Sequence, residues 1–158
     1  YVGNIDKQDE IINQAFDLMQ QAEVDMTLFF RQLAAIDIDN PTLEPLRVAF
    51  YREGLFEQHQ LAWQLWVRDY SKRIKANQSD TPERIQRMNA TNPRFVLRNY
   101  LAQQAIDKAA SGDNSMILEL LEVLRHPYTE QPAFAHFAAK RPEWARHKAG
   151  CSMLSCSS

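Results

Sequence analysis

Apolar residues along this chain recur at intervals of three and four, and no stretch alternates with period two for long, so the pattern predicts helices. From Asp6 to Gln21, Ile11, Ile12, Ala15, Phe16, Leu18 and Met19 form one wide apolar side, and acids fall early, where the helix dipole favours them. Val24 to Ala35 predicts a second helix carrying Met26, Leu28, Phe29, Phe30 and Leu33. Two adjacent phenylalanines do not both fit the centre of a narrow stripe, so this helix is expected to pack on two sides. Ile36 to Pro45, with Asp37, Asp39, Asn40 and Pro41, is a loop. It lacks the glycine and terminal glutamate of a calcium loop, which leaves ordinary turn chemistry. A short helical piece, Leu46 to Tyr51, precedes the longest helix, Phe56 to Asn77. Phe56, Trp63, Trp66, Tyr70 and Ile74 share its apolar arc, and His59 falls within that arc, as a hydrogen-bonded core histidine would. Helical spacing of these aromatics is what a core requires, so a base-stacking surface is not needed to explain them.

The second half is punctuated more sharply. Ser79 to Glu83 opens a short helix, Glu83 to Ala90. Asn92-Pro93 reads as the next helix start, with an uninterrupted run to Ala110. Wound at about 100° per residue, this run gathers Phe95, Leu97, Leu101, Ala102, Ala105, Ile106 and Ala109 on one arc. Gly112 ends it, and Met116 to Leu124 follows, with Met116, Ile117, Leu120, Leu121 and Leu124 on its seam and His126-Pro127 as its stop. A helical hairpin is the expected result. Arg98 breaks the pattern, because it falls among Leu101, Ala105 and Ala109, where a guanidinium must snorkel or meet an acceptor. A structural ion pair or carbonyl contact at Arg98 is therefore expected. Beyond Pro127 the signal loosens into Ala133 to Ala139 and a Pro-first start at Arg141-Pro142-Glu143-Trp144.

The fold class expected is all-α, an irregular orthogonal arrangement of helices. At 158 residues, 45% of them hydrophobic and 24% charged, the chain suits one helical domain over residues 1–150 and a flexible cysteine-containing tail over 151–158. The net charge is −2, which argues against nucleic acid and anionic lipid as partners. The balance is uneven: residues 1–44 hold nine acids and two bases, and residues 45–110 hold six acids and eleven bases. Two mutually neutralising faces account for this, with a phosphate-facing surface as the competing reading. No apolar run approaches the roughly 18 residues that span a bilayer. Cys151 and Cys156 both lie near the end, so no disulfide framework holds the core. Cys156, among small polar residues, is expected to be exposed and open to redox or disulfide chemistry. His136, His147 and the two cysteines do not complete a zinc pattern. Walker, Rossmann, kinase, zincin and nucleophile-elbow motifs are all absent. On the residues alone, an autonomous helical protein-interaction module remains a competing reading.

Four stretches carry a resemblance. Asn92-Pro93-Arg94-Phe95-Val96-Leu97-Arg98-Asn99-Tyr100-Leu101-Ala102-Gln103-Gln104-Ala105-Ile106, Leu121 to Tyr128, Pro142-Glu143-Trp144-Ala145 and the ending Ser155-Cys156-Ser157-Ser158 resemble the C-terminal portion of the selenoprotein O family. The likeness is strong over residues 45–158 and weak over the first 44. It implies that the chain is the C-terminal helical part of a protein-kinase-like fold, which binds ATP in an inverted orientation. It further implies transfer of AMP to hydroxyl side chains of protein substrates, with Mg2+ or Mn2+. The family's catalytic, cofactor and metal residues belong to a kinase-like portion ahead of Tyr1, so none has a matching position here. The fragment itself is expected to bind no cofactor and to be inactive. Its implied partners are that N-terminal kinase-like portion and the protein substrates. Cys156 matches the place of selenocysteine in animal members and of cysteine in most bacterial ones, where it can pair with a cysteine of the kinase-like portion as a redox switch. Cys151 has no counterpart in the resemblance and competes for that disulfide. The implied compartment is the cytoplasm for a bacterial member and the mitochondrion for animal relatives.

Overall fold

The computed structural model describes residues 5–77, 81–148 and 150–151. Among these residues the fold is all-α, as expected. The six α-helices are α1 (Ile5–Ala22), α2 (Met26–Leu33), α3 (Glu53–Ala76), α4 (Thr81–Thr91), α5 (Asn99–Ala110) and α6 (Ser115–Arg125). Tight 3-10 turns occupy Glu44–Ala49, Pro132–Ala138 and Glu143–Arg146. An isolated antiparallel bridge joins Val24 to Phe50, and no strand is formed among the described residues. The chain, expected as one domain over residues 1–150, divides into two compact units, Tyr1–Met88 and Asn89–Ser158. Each closes a hydrophobic core of its own.

In the first unit the core is aromatic. Trp63 lies at its centre, with the rings of Phe29 at 5.1 Å, Phe50 at 5.6 Å and Trp66 at 5.8 Å, in the tilted and edge-on arrangements that aromatic quadrupoles favour. Phe29 is fully buried, while Phe30 turns aside to meet Phe16 of α1 at 6.2 Å, so α2 packs on two sides. Helix α1 runs against α3, and the indole N–H of Trp66 donates to the Ile11 carbonyl at 2.9 Å. Ile36, Ile38 and Leu43 show that the loop after α2 is also a core supplier. Its turn is local, since the Asp37 carboxylate accepts from the amides of Asp39 and Asn40. His59 departs from expectation: it is half-buried on α3, and its side chain makes no hydrogen bond among the described residues.

Two buried polar groups fasten this unit. Asp25 caps α2, its Oδ1 accepting from the Leu28 amide at 3.0 Å, and its Oδ2 accepts from the Tyr51 hydroxyl at 2.9 Å. Arg84 of α4 is buried and donates to the carbonyls of Ile36 at 3.0 Å and Ala34 at 3.3 Å, which ties the helix to the end of α2. Burial pushes the Tyr70 phenol above its usual range, and the neighbouring Arg84 guanidinium opposes that rise.

In the second unit α5 and α6 form the expected hairpin. Gly112 takes a φ of +89° after α5, and its amide donates to the Ala109 carbonyl. The start of the hairpin differs from expectation, because the helix begins at Asn99 instead of at Asn92-Pro93. The amides of Arg94 and Phe95 both donate to the Pro127 carbonyl, at 2.8 and 3.0 Å. That non-local anchor holds residues 92–98 outside the helix, buries Phe95 and leaves Leu97 50% exposed. Gln131 closes the far end, donating to the Val123 and His126 carbonyls at 3.0 and 2.9 Å.

Candidate functional site

The three residues that carried functional expectations fall in different places. Cys156 lies outside the described residues. Arg98 is 3% exposed, but it stands at the N-cap of α5 and not on the helical arc expected for it. Its φ and ψ of −77° and 145° are extended, and its carbonyl accepts from the amides of Leu101 and Ala102. Cys151, assigned by composition to the flexible tail, is fully buried in the core of the second unit. It carries a free thiol. Gly150 precedes it at a φ of +83°, a left-handed backbone that favours glycine, and lies against the Gln103 side chain of α5.

An open cleft of about 550 Å³ lies within the second unit. Tyr100, Gln104, Asp107 and Lys108 come from α5, Met116 and Glu119 from α6, and His136, Trp144 and Lys148 from the segments after them. Tyr100 meets Trp144 edge-on at 6.2 Å, and its hydroxyl donates to the Ala139 carbonyl at 3.3 Å. Lys148 lies 5.5 Å from the Trp144 ring centre and 2.9 Å from Asp107 Oδ2. Gln103 donates to the other Asp107 oxygen at 2.7 Å. The bond from Lys148, helped by that from Gln103, holds the Asp107 carboxyl below the usual carboxylate range, and the same bond holds Lys148 above the usual amine range. The pair is exposed, so it orders the turn more than it stabilises the fold.

Lys108 lies beside Asp113 at 3.9 Å, so both cations of the cleft already face carboxylates. Among the described residues no three His, Cys, Asp or Glu side chains are grouped to hold a metal ion. The described glycines stand singly at positions 54, 112 and 150, without the spacing of a phosphate cradle. These residues do not fit ATP with its divalent metal. No helix among the described residues is long and apolar enough to cross a membrane. Sequence reasoning missed the cleft because its parts, Tyr100, Asp107, Trp144 and Lys148, are scattered over two helices and a loose segment. The one local signal was the Pro-first start before Trp144.

Comparison with known proteins is consistent over nearly the whole chain. A family model described as protein adenylyltransferase SelO matches residues 3–125. A protein nucleotidyltransferase YdiU of Tolumonas auensis is 59% identical over 149 residues, covering 94% of this chain and 29% of that relative. The protein of the same name from Methylobacillus flagellatus is 54% identical, covering 97% of this chain and 30% of its own length. One from Rhodopirellula baltica is 48% identical, covering 95% and 30%. The likeness thus reaches into the first 44 residues, where the motifs were weakest, and the chain spans about 30% of the length of these relatives.

Proposed function

The chain belongs to the protein adenylyltransferase SelO family, and from that premise we propose that it is the C-terminal helical part of an enzyme that transfers AMP from ATP to Ser, Thr or Tyr hydroxyls of protein substrates. It supports the catalytic portion and supplies no catalytic residue. The observation that carries this reading is the coverage: high identity over 94% of this chain set against 29% of the relative. Phosphoryl and nucleotidyl transfer need a metal and a cradle for the phosphates, which the remaining length of such a protein has room to hold. Cys156 is the regulatory thiol in this reading, oxidised to a disulfide with a cysteine of the catalytic portion. The setting proposed is a bacterial cytoplasm.

The experiment is an assay of AMP transfer by the full-length polypeptide and by this 158-residue chain, alongside calorimetric titration of the latter with ATP and Mg2+ or Mn2+. Transfer by the full-length protein alone is expected, with no binding by the short chain below millimolar ATP. Micromolar affinity in the short chain overturns the supporting role. Non-reducing peptide mapping with a Cys156→Ser control tests the thiol. A Cys156 that is free or joined to Cys151 after oxidation, with transfer indifferent to reductant, removes it.

A further inference from the structure

The outer side of the α5–α6 hairpin is apolar and uncovered. On α5, Leu101 and Ala105 enter the core, and Gln104, Asp107 and Lys108 line the cleft on one side. Ile106 follows Ala105 by about 100° on the other side, away from the cleft. On α6, Met116, Leu120 and Val123 enter the core and Glu119 lines the cleft, so Ile117 and Leu121 likewise turn away from it. A short connection, residues 111–114, makes the two helices antiparallel, and antiparallel right-handed helices put these two outward rows on one surface. Ile106 is 59% exposed, Ile117 43%, Leu118 64% and Leu121 51%. Ala102 and Ala109 lie beside Ile106 on its row, and the nearest charge, Arg125, is held by Glu122 at 3.3 Å. A face of this size without a free charge is the composition of an interface core. Helix α3 supplies the contrast. Leu61 and Leu65 are as exposed, but Glu57, Gln58 and Arg68 flank them within the same arc, which makes a solvated ridge.

We propose that this hairpin face is the docking surface for the part of the longer polypeptide that the relatives possess and this chain lacks. The inference rests on the reading above that the chain is one part of such a polypeptide. About 70% of the relatives' length lies outside the matched region, so a large covalently linked partner is at hand. The charges within its arc, Arg125 and Glu122, are paired with each other, so the complementary surface is largely apolar.

Hydroxyl-radical footprinting of side chains, read by mass spectrometry, tests this on the full-length polypeptide and the 158-residue chain side by side. Ile106, Ile117, Leu118 and Leu121 are expected to be labelled roughly fivefold less in the full-length protein, as at an interface between domains, with Leu61 and Leu65 unchanged. Equal labelling in both proteins overturns the proposal. So does protection in the short chain that grows with its concentration, which assigns the face to a second copy. A Leu118→Glu, Leu121→Glu pair in the full-length protein is expected to restore labelling of Ile106 and Ile117, with the helix content of the short chain unaltered by circular dichroism. Persistent protection in that variant also overturns the proposal. AMP transfer measured on the same full-length sample separates the two ideas: protection without transfer removes the enzymatic reading and keeps the docking surface.

Discussion

Asp25 satisfies two groups with one carboxylate, and it is buried while doing so. Asp25→Ala removes the cap of α2 and leaves the Tyr51 hydroxyl without that acceptor, so a loss of about 2 kcal/mol is expected in urea unfolding. A change under about 0.5 kcal/mol would show that water replaces both contacts. Arg98 is expected to meet an acceptor in its buried position, and Arg98→Leu therefore to lower stability by roughly 1–3 kcal/mol. An unchanged melting temperature in that variant argues against the buried acceptor. The arc on which the Arg98 expectation rested does not reach it, because the helix starts one residue later, and only its burial is observed. Arg84 was not legible. It sits on a short polar helix, and its acceptors are carbonyls some fifty positions back in the chain, a distance that no local pattern encodes.

At the level of elements, the long helices were read closely because their burial follows helical period. Helix α3 was expected over Phe56–Asn77 and spans Glu53–Ala76, and α6 was expected over Met116–Leu124 and spans Ser115–Arg125. Residues 92–98 were misread for a physical reason: helix-compatible sequence loses to two hydrogen bonds with the Pro127 carbonyl. The segment after α6 gave little warning that its end packs on α5. There the Asp107–Lys148 pair makes a pH prediction. Asp107 is lowered by its bond from Lys148, so its contribution is present above the ordinary aspartate range and is lost as pH falls through the lowered value. Lys148 is raised by the same bond, so its contribution is present below the ordinary lysine range and is lost as pH rises through the raised value. The Cys151 amide, which donates to the Lys148 carbonyl, is the reporter. Its NMR signal is expected to shift at both acid and alkaline extremes, and Asp107→Asn to abolish the acid limb. An acid limb that survives the substitution assigns the effect to another group.

For the whole molecule, the two cores predict two domains of stability. Val67 and Val123 are fully buried in the first and second core respectively. Each truncation to alanine is expected to cost about 2 kcal/mol in its own unit. By hydrogen exchange, Val67→Ala should quicken the amides of α1–α3 and leave α5 and α6 unchanged, with Val123→Ala doing the reverse. Simultaneous acceleration of all helices by either substitution would mean one cooperative body. The buried position of Cys151 has a further consequence for the thiol at Cys156. With Cys151 fixed in a core, chain length alone bounds how far Cys156 can lie from it. Five residue steps separate the two positions, which limits the radius to about 17 Å for fully extended chain. One thiol shared over a sphere of that radius corresponds to roughly 0.1 M, and the value falls to zero beyond reach. Any cysteine that Cys156 oxidises with must therefore lie within that reach plus the roughly 6 Å that a disulfide spans, and lengthening the segment after Cys151 would widen the choice of partner while diluting the chosen one.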